Sequence, residues 1–254
     1  MWPRSLSSSC WSGVSSTLEM RRGFAEFSAG GTFFRRKATA VHVFSELSFV
    51  VRRGECIGLV GESGCGKTTC LRCLCGLQKL SAGEILLDGQ PLCRISRRQF
   101  CRRVQIIFQC PYDALNPLQT VESILTEPLQ LHFPKMKRTQ RQDRMVELLS
   151  AVQLNENLLQ RKPGALSGGQ RQRLAIARSL AVKPDFLLCD EVVSALDAAI
   201  QGEILELIGT LRRKTGLGVL FVSHNRAAAA ILCDKIYNFS NGRMSLLSAK
   251  DATY

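Results

Sequence analysis

Five apolar residues, Cys56–Val60 (CIGLV), run straight into Gly61-Glu62-Ser63-Gly64-Cys65-Gly66-Lys67-Thr68. This junction constrains the fold more than any other part of the chain. A short, unbroken apolar run bounded by turn residues reads as a strand buried on both faces. From Lys67 to Leu77 the spacing becomes helical, so the glycine-rich stretch lies between a strand and a helix. In that setting G-x-x-x-x-G-K-[ST] reads as a phosphate-binding loop. Gly61, Gly64 and Gly66 let the backbone turn its N–H groups inward onto phosphate oxygens, and the helix N-terminus that includes Thr69 adds partial positive charge. Lys67 reaches the β- and γ-phosphates, and Thr68 offers a hydroxyl to Mg²⁺. The competing reading, a glycine turn with an exposed lysine, does not explain the strand on one side and the helix on the other. Alone, the loop specifies a nucleoside triphosphate and no particular reaction.

The rest of the chain alternates strands and helices. Leu47–Val51 reads as a strand followed by a basic turn through Gly54, and Glu84–Leu87 as a strand entering a turn at Asp88-Gly89. Val104–Phe108 is another short strand. Residues 118–180 carry helical spacing instead, with Val121, Ile124, Leu125 and Leu129 in one group and Met145, Leu148, Leu149 and Val152 in a second. Strands return at Phe186–Leu188 and Leu217–Val222, separated by an amphipathic helix marked by Ile204, Leu207, Ile208 and Leu211. Strand–helix–strand units of this length imply parallel crossovers and an α/β fold. The helical middle reads as an insertion.

Composition narrows the setting. No run approaches the ~18 apolar residues of a membrane-spanning helix, so any transport path must come from another chain. The net charge of +13 fits plain solubility, an anionic membrane surface or nucleic acid. Its basic residues form small clusters (Arg35, Arg36, Lys37; Arg97, Arg98; Arg102, Arg103; Arg212, Arg213, Lys214), which favours the first two. The eleven cysteines have neither disulfide-framework nor zinc-finger spacing, and Cys70, Cys73 and Cys75 read as small core residues of a chain in a reducing compartment. Met1–Thr17 is serine-rich, has no acidic residue, and reads as a disordered extension.

A second pair of charged groups lies at 190–191. Phe186-Leu187-Leu188-Cys189-Asp190-Glu191 is an apolar strand ending in two acids, at the sheet edge where α/β proteins bind ligands. Asp190 is placed to hold Mg²⁺, and Glu191 to polarise an attacking water as general base. Between loop and acids stands Leu166-Ser167-Gly168-Gly169-Gln170, in which Ser167 caps a helix whose N-terminus faces an anion.

Taken in order, these motifs resemble the ATP-binding subunits of ABC transporters, from about Leu18 to about Leu247. The resemblance implies a P-loop NTPase (RecA-like) parallel-sheet core with an antiparallel β-subdomain and an inserted helical subdomain. The boundaries expected are 18–109 and 181–254 for the core and 110–180 for the helical signature subdomain. It further implies that Ser167, Gly168, Gly169 and Gln170 close over ATP held by a partner subunit's phosphate loop, and that Ser194-Ala195-Leu196-Asp197 crosses the dimer interface. Gln109 is implied to sense Mg²⁺ and the attacking water, and His224 to contact the γ-phosphate. An aromatic stacked on adenine is also implied. Phe27, just beyond a first strand at Leu18-Glu19-Met20, is the choice, with Phe24 and Phe33 as rivals.

Finer detail resembles the peptide and nickel importers of that family: Pro111-Tyr112-Asp113-Ala114-Leu115-Asn116-Pro117 after Gln109, and Ser194–Leu205 (SALDAAIQGEIL). Cys110 stands where those proteins have an acid, and Asn225 follows His224 in place of the usual aspartate. Val192 after Glu191, and a chain ending soon after Leu247, lean the resemblance towards nickel or a metal chelate, with oligopeptide import as the alternative. The partners implied are two membrane permeases, a second ATPase subunit and an extracytoplasmic binding protein, with no nucleic acid. The location implied is peripheral, on the cytoplasmic face of the inner membrane. A soluble ABC ATPase acting on DNA or ribosomes is less well matched, since the chain carries neither a long coiled coil nor a second ATPase domain.

Overall fold

A computed structural model describes residues 16–28, 40–110 and 114–247. Two long antiparallel strands open the fold, β1 (Thr17–Ser28) and β2 (Ala40–Arg52). β3 (Cys56–Val60) and α1 (Lys67–Leu74) follow, then the hairpin of β4 (Ala82–Leu87) and β5 (Gln90–Pro91). α2 (Arg97–Arg103) leads into β6 (Val104–Ile107). Three helices fill the middle: α3 (Val121–His132), α4 (Arg138–Ala151) and α5 (Gly168–Leu180). β7 (Phe186–Asp190), α6 (Ala198–Thr215), β8 (Gly218–Ser223) and α7 (Arg226–Leu232) return to the alternating pattern. β9 (Lys235–Ser240) and β10 (Arg243–Leu246) complete the described chain.

The strands form two sheets, one in the order β2-β1-β4-β5 and one in the order β10-β9-β3-β8-β7-β6. The first is antiparallel; in the second, β9, β3, β8, β7 and β6 run parallel and β10 is antiparallel to β9. β3, β7 and β8 are buried at every position, as their unbroken apolar runs require. Their side chains alternate between two hydrophobic clusters, as the two-residue period of a strand dictates. Cys56 and Val60, Leu187 and Cys189, and Val219 and Phe221 face the cluster shared with α3–α6. Ile57 and Leu59, Phe186 and Leu188, and Leu220 and Val222 face the cluster shared with α1, β1 and β2. The helical middle therefore packs onto one face of the parallel sheet without a break in the apolar core. Cys70 and Cys73 are fully buried in the second cluster, whereas Cys75, read with them as core, is only half-buried against it; no group of three metal-ligating side chains occurs among the described residues.

Several elements differ from the sequence reading. The helix expected to reach Leu77 stops at Leu74, because Gly76 takes a φ of +68° and the N–H of Leu77 turns back to the Arg72 carbonyl. The strand read at Leu18–Met20 continues to Ser28 through register shifts around Gly23. α7 was not anticipated; Asn225 caps it, accepting from the Ala228 N–H at 3.2 Å. The alanines let that helix close on β3: a Cβ at Gly58 would lie 3.4 Å from the Ala229 methyl. β9 and β10 were not anticipated. Thr17, read as the end of a disordered extension, instead opens β1, its N–H donating to Asp88 Oδ1 at 2.9 Å; Met1–Ser15 and Phe33 lie outside the described residues, as do Pro111–Asp113.

Candidate functional site

The loop Gly61–Gly66 leaves the C-terminal end of β3 and enters α1 at Lys67, the expected strand–loop–helix join. Two of its glycines are obligatory for different reasons. Gly66 has a φ of +109°, which L side chains rarely adopt. At Gly61 a Cβ would stand 2.3 Å from the Phe239 carbonyl oxygen of β9, so the backbones approach too closely for any side chain. Lys67 is buried, and its ammonium donates to the carbonyls of Gly61 at 2.8 Å and Glu62 at 2.6 Å, with Cys65 Sγ at 3.7 Å. The loop therefore curls around the lysine amine and directs it at the loop's own mouth. Thr69 is the third residue of α1, and Ser63 and Gly64 lie on the loop's exposed rim.

β7 delivers Asp190 and Glu191 beside this loop. Thr68 Oγ1 donates to Asp190 Oδ1 at 3.1 Å. Burial raises the Asp190 carboxyl above its ordinary range; the Thr68 hydroxyl and the cations of Arg72 and Lys67 oppose that rise, and neighbouring Glu191 adds to it. A hydroxyl and a carboxylate oxygen held together make an all-oxygen donor set of the kind a hard divalent cation such as Mg²⁺ accepts.

Glu191 gathers the remaining polar groups. Its Oε2 accepts from Gln109 Nε2 at 3.2 Å and lies 3.2 Å from His224 Nδ1. Gln109 follows β6, Glu191 follows β7 and His224 follows β8, so three adjacent parallel strands present one side chain each at the same sheet edge. Four separate sequence positions, Thr68, Gln109, Asp190 and His224, thus converge on or beside one glutamate.

The signature residues are elsewhere. Ser167 is exposed at the start of α5 in a reciprocal capping box: its Oγ accepts from the Gln170 N–H at 3.2 Å, and its own N–H donates to Gln170 Oε1 at 3.0 Å. Gly168 and Gly169 pack towards Leu196 and Ile200; a Cβ at Gly169 would lie 2.9 Å from Ile200 Cγ2. Asp197 caps α6, accepting from the Ile200 N–H at 3.0 Å. Among the described residues no hydrogen bond or ion pair joins Ser167–Gln170 to Gly61–Thr69. The aromatic choice is corrected in one respect: Phe27 stands within β1, opposite Val41, and not beyond the strand. Its side chain lies outside what the structure describes. Phe24 is half-buried in β1, opposite Ala82.

One residue escaped the sequence reading as a part of this site. Ser194 donates both its N–H (3.0 Å) and its hydroxyl (2.9 Å) to the Glu191 carbonyl. The only sequence sign of this is a serine three residues after an acid, too common a spacing to single out.

The sequence profile of the ABC transporter family matches residues 44–194. A probable peptide ABC transporter ATP-binding protein of Sinorhizobium fredii, y4tS, is 39% identical over 225 residues, spanning 87% of this chain and 64% of its own length. The oligopeptide transport ATP-binding protein OppF of Bacillus subtilis is 41% identical over 218 residues, spanning 84% of this chain and 72% of its own. Among solved structures, the dimeric post-hydrolysis state of the ATP-binding cassette MJ0796 bound to ADP and Pi shares the fold with a TM-score of 0.77. It is 26% identical and covers 91% of this chain and 99% of that one. Both curated relatives are named for peptide or oligopeptide transport, and the lean towards nickel drawn from Val192 finds no support in them. The fold is that of the P-loop NTPases, and the chain belongs to the ABC transporter family as one of its ATP-binding cassettes, an ABC-type ATPase.

Proposed function

We propose that this chain binds and hydrolyses ATP to energise an ABC importer of oligopeptides. The observation that carries the reading is the shared Glu191 carboxylate, with Gln109 and His224 each 3.2 Å from Oε2, adjacent to the Thr68–Asp190 pair. In this reading Lys67 and the backbone of Gly61–Thr69 bind the triphosphate, including the amides of Glu62, Ser63 and Cys65. Thr68, Asp190 and Gln109 would hold Mg²⁺, whose chemistry there is to neutralise charge on the phosphate oxygens. Glu191 takes a proton from the attacking water, and the amide of Gln109 and the imidazole of His224 fix the direction of its carboxylate. Phe27 stacks on adenine. Ser167, Gly168, Gly169, Gln170 and Asp197 serve a nucleotide held by a second ATPase subunit. Residues 110–180 act as the helical signature subdomain, and 18–109 with 181–254 as the catalytic core.

The names of the relatives support peptide as cargo. The partners in this reading are two permeases, a second and paralogous ATPase and a binding protein that delivers peptide, with the chain peripheral on the cytoplasmic face of the membrane. No helix among the described residues is long and apolar enough to cross a bilayer, so the path belongs to the permeases. A pull-down of the tagged chain from its native membranes in mild detergent is expected to recover membrane subunits, and peptide presented with the binding protein is expected to stimulate ATP turnover. Recovery of nucleic acid or ribosomes without membrane proteins would overturn the transport reading. Stimulation by nickel but not by peptide would overturn the cargo. In the same complex Glu191→Gln is expected to abolish turnover and leave ATP bound; full turnover would remove Glu191 from its role.

A further inference from the structure

Glu191 has a φ of +47°, in the left-handed region that is unfavourable for a residue with a side chain. A backbone persists there when its surroundings over-determine it, and such positions gather at sites of function. Here the surroundings are two elements. The Glu191 N–H donates to the Val222 carbonyl of β8 at 3.0 Å, which fixes the residue to the sheet edge. Its carbonyl accepts twice from Ser194, from the N–H at 3.0 Å and from the hydroxyl at 2.9 Å. The peptide units on both sides of the Glu191 Cα are therefore held, and its Cα–Cβ bond leaves in the direction that brings Oε2 to Gln109 and His224. Return of φ to the common negative region would swing that bond away from both.

We infer that Ser194 is a positioning residue for ATP hydrolysis: its hydroxyl pins the Glu191 carbonyl and so aims the glutamate carboxylate. The inference rests on the role given to Glu191 above. Among the described residues Ser194 makes no hydrogen bond or ion pair with Gln109, His224, Thr68 or Lys67, so its effect on turnover passes through Glu191. Its side chain points back along the chain, within the same subunit, which is separate from any contact that residues 194–197 make across a dimer.

The test compares Ser194→Ala, Ser194→Thr and Ser194→Cys in the full chain, purified with the subunits that accompany it, by kcat, KM for ATP and affinity for a non-hydrolysable ATP analogue. Ser194→Ala is expected to lower kcat roughly 10- to 100-fold, the scale of a small misplacement of a reacting group. KM and analogue affinity are expected to stay within about twofold, because only an interaction used in the transition state has been lost. Thr keeps the hydroxyl and is expected to restore most of the rate. In a Glu191→Gln background, where repeated turnover is abolished, Ser194→Ala is expected to cause no further loss of the slow single-turnover hydrolysis that remains, since residues acting as a unit are not additive. Should the alanine variant not fold, Cys against Thr carries the same comparison, a thiol being a poor donor of similar size. Unchanged kcat in Ser194→Ala, a loss confined to affinity, no rescue by Thr, or an additive loss in the Gln background would each overturn the proposal. A wild-type chain without ATP turnover would instead bring down the functional reading, and this inference with it.

Discussion

Asp190 shows how one carboxylate sets a balance between stability and function. It is buried at the end of β7, and burial is the main cause that raises its carboxyl above the ordinary value of 3.8. The sign follows from linkage. A raised folded-state value means that the folded protein holds this proton more tightly than the unfolded chain, so ionisation opposes folding. The opposition is absent below the ordinary value, grows as pH rises through it towards the folded value, and is complete above both. Asp190→Asn removes the charge and keeps an oxygen to accept from Thr68. The nucleotide-free variant is therefore expected to be more stable near neutral pH by about 1 kcal/mol, roughly 2–4 °C in melting temperature. The gain should vanish near pH 3, and hydrolysis should be lost. Melting curves of both proteins across pH would check this; a variant less stable at pH 7 would show that Thr68, Arg72 and Lys67 outweigh the burial. This residue was legible in the sequence, because an acid after a buried strand has few places to go. The left-handed backbone of its neighbour Glu191 was not, because φ is fixed by hydrogen bonds to the Val222 carbonyl and from Ser194 that no local pattern announces.

Elements were legible where burial alone decides them. CIGLV and FLLCD are strands because both faces of each are covered, and the structure returns Cys56–Val60 with the expected bounds. β9 (KIYNFS) was illegible for the opposite reason: at the side of the parallel sheet it is buried only at Ile236 and Phe239, a spacing of three that fits neither period cleanly. α7 was obscured by four consecutive alanines, which carry helix propensity but no amphipathic contrast. The join between the two sheets was also hidden, because it is made by ions distant in sequence. Asp185, just before β7, accepts from Arg103 Nε at 2.5 Å and Arg53 Nη1 at 3.2 Å, while Arg103 Nη2 meets Asp88 Oδ2, in the β4–β5 turn, at 2.6 Å. Asp185→Ala deprives two largely buried guanidinium groups of this carboxylate. Breaking a fully buried pair costs about 3–5 kcal/mol, and partial exposure reduces the expectation here to about 1–3 kcal/mol. Calorimetry should register a fall of roughly 2–4 °C for each kcal/mol. An unchanged melting temperature would mean that water replaces the lost carboxylate and that the sheets are joined by apolar packing alone.

On the scale of the whole molecule, the phosphate loop and the start of α5 are joined by no hydrogen bond or ion pair among the described residues. The phosphate loop and Glu191 lie at the edge of the parallel sheet, whereas the Ser167 capping box opens α5 and packs by its glycines against Leu196 and Ile200. In the proposed reading this helix N-terminus, whose capping serine is exposed and makes no hydrogen bond to Gly61–Thr69 among the described residues, serves an anion from elsewhere. If that anion belongs to nucleotide on another subunit, binding and turnover separate in a way no single-chain site allows. Ser167→Arg places a bulky side chain at the mouth of α5 and leaves Gly61–Thr68 untouched. The isolated variant is then expected to bind ATP with wild-type affinity. In the assembled transporter its turnover should fall by on the order of 10²-fold or more, the scale set by loss of preorganised donors at a developing charge. Equilibrium binding of a fluorescent ATP analogue and steady-state hydrolysis, measured on the same preparations, distinguish the cases. A loss of affinity in the isolated chain would mean that the signature folds over its own nucleotide, and its proposed role towards a nucleotide on a second subunit would have to be abandoned.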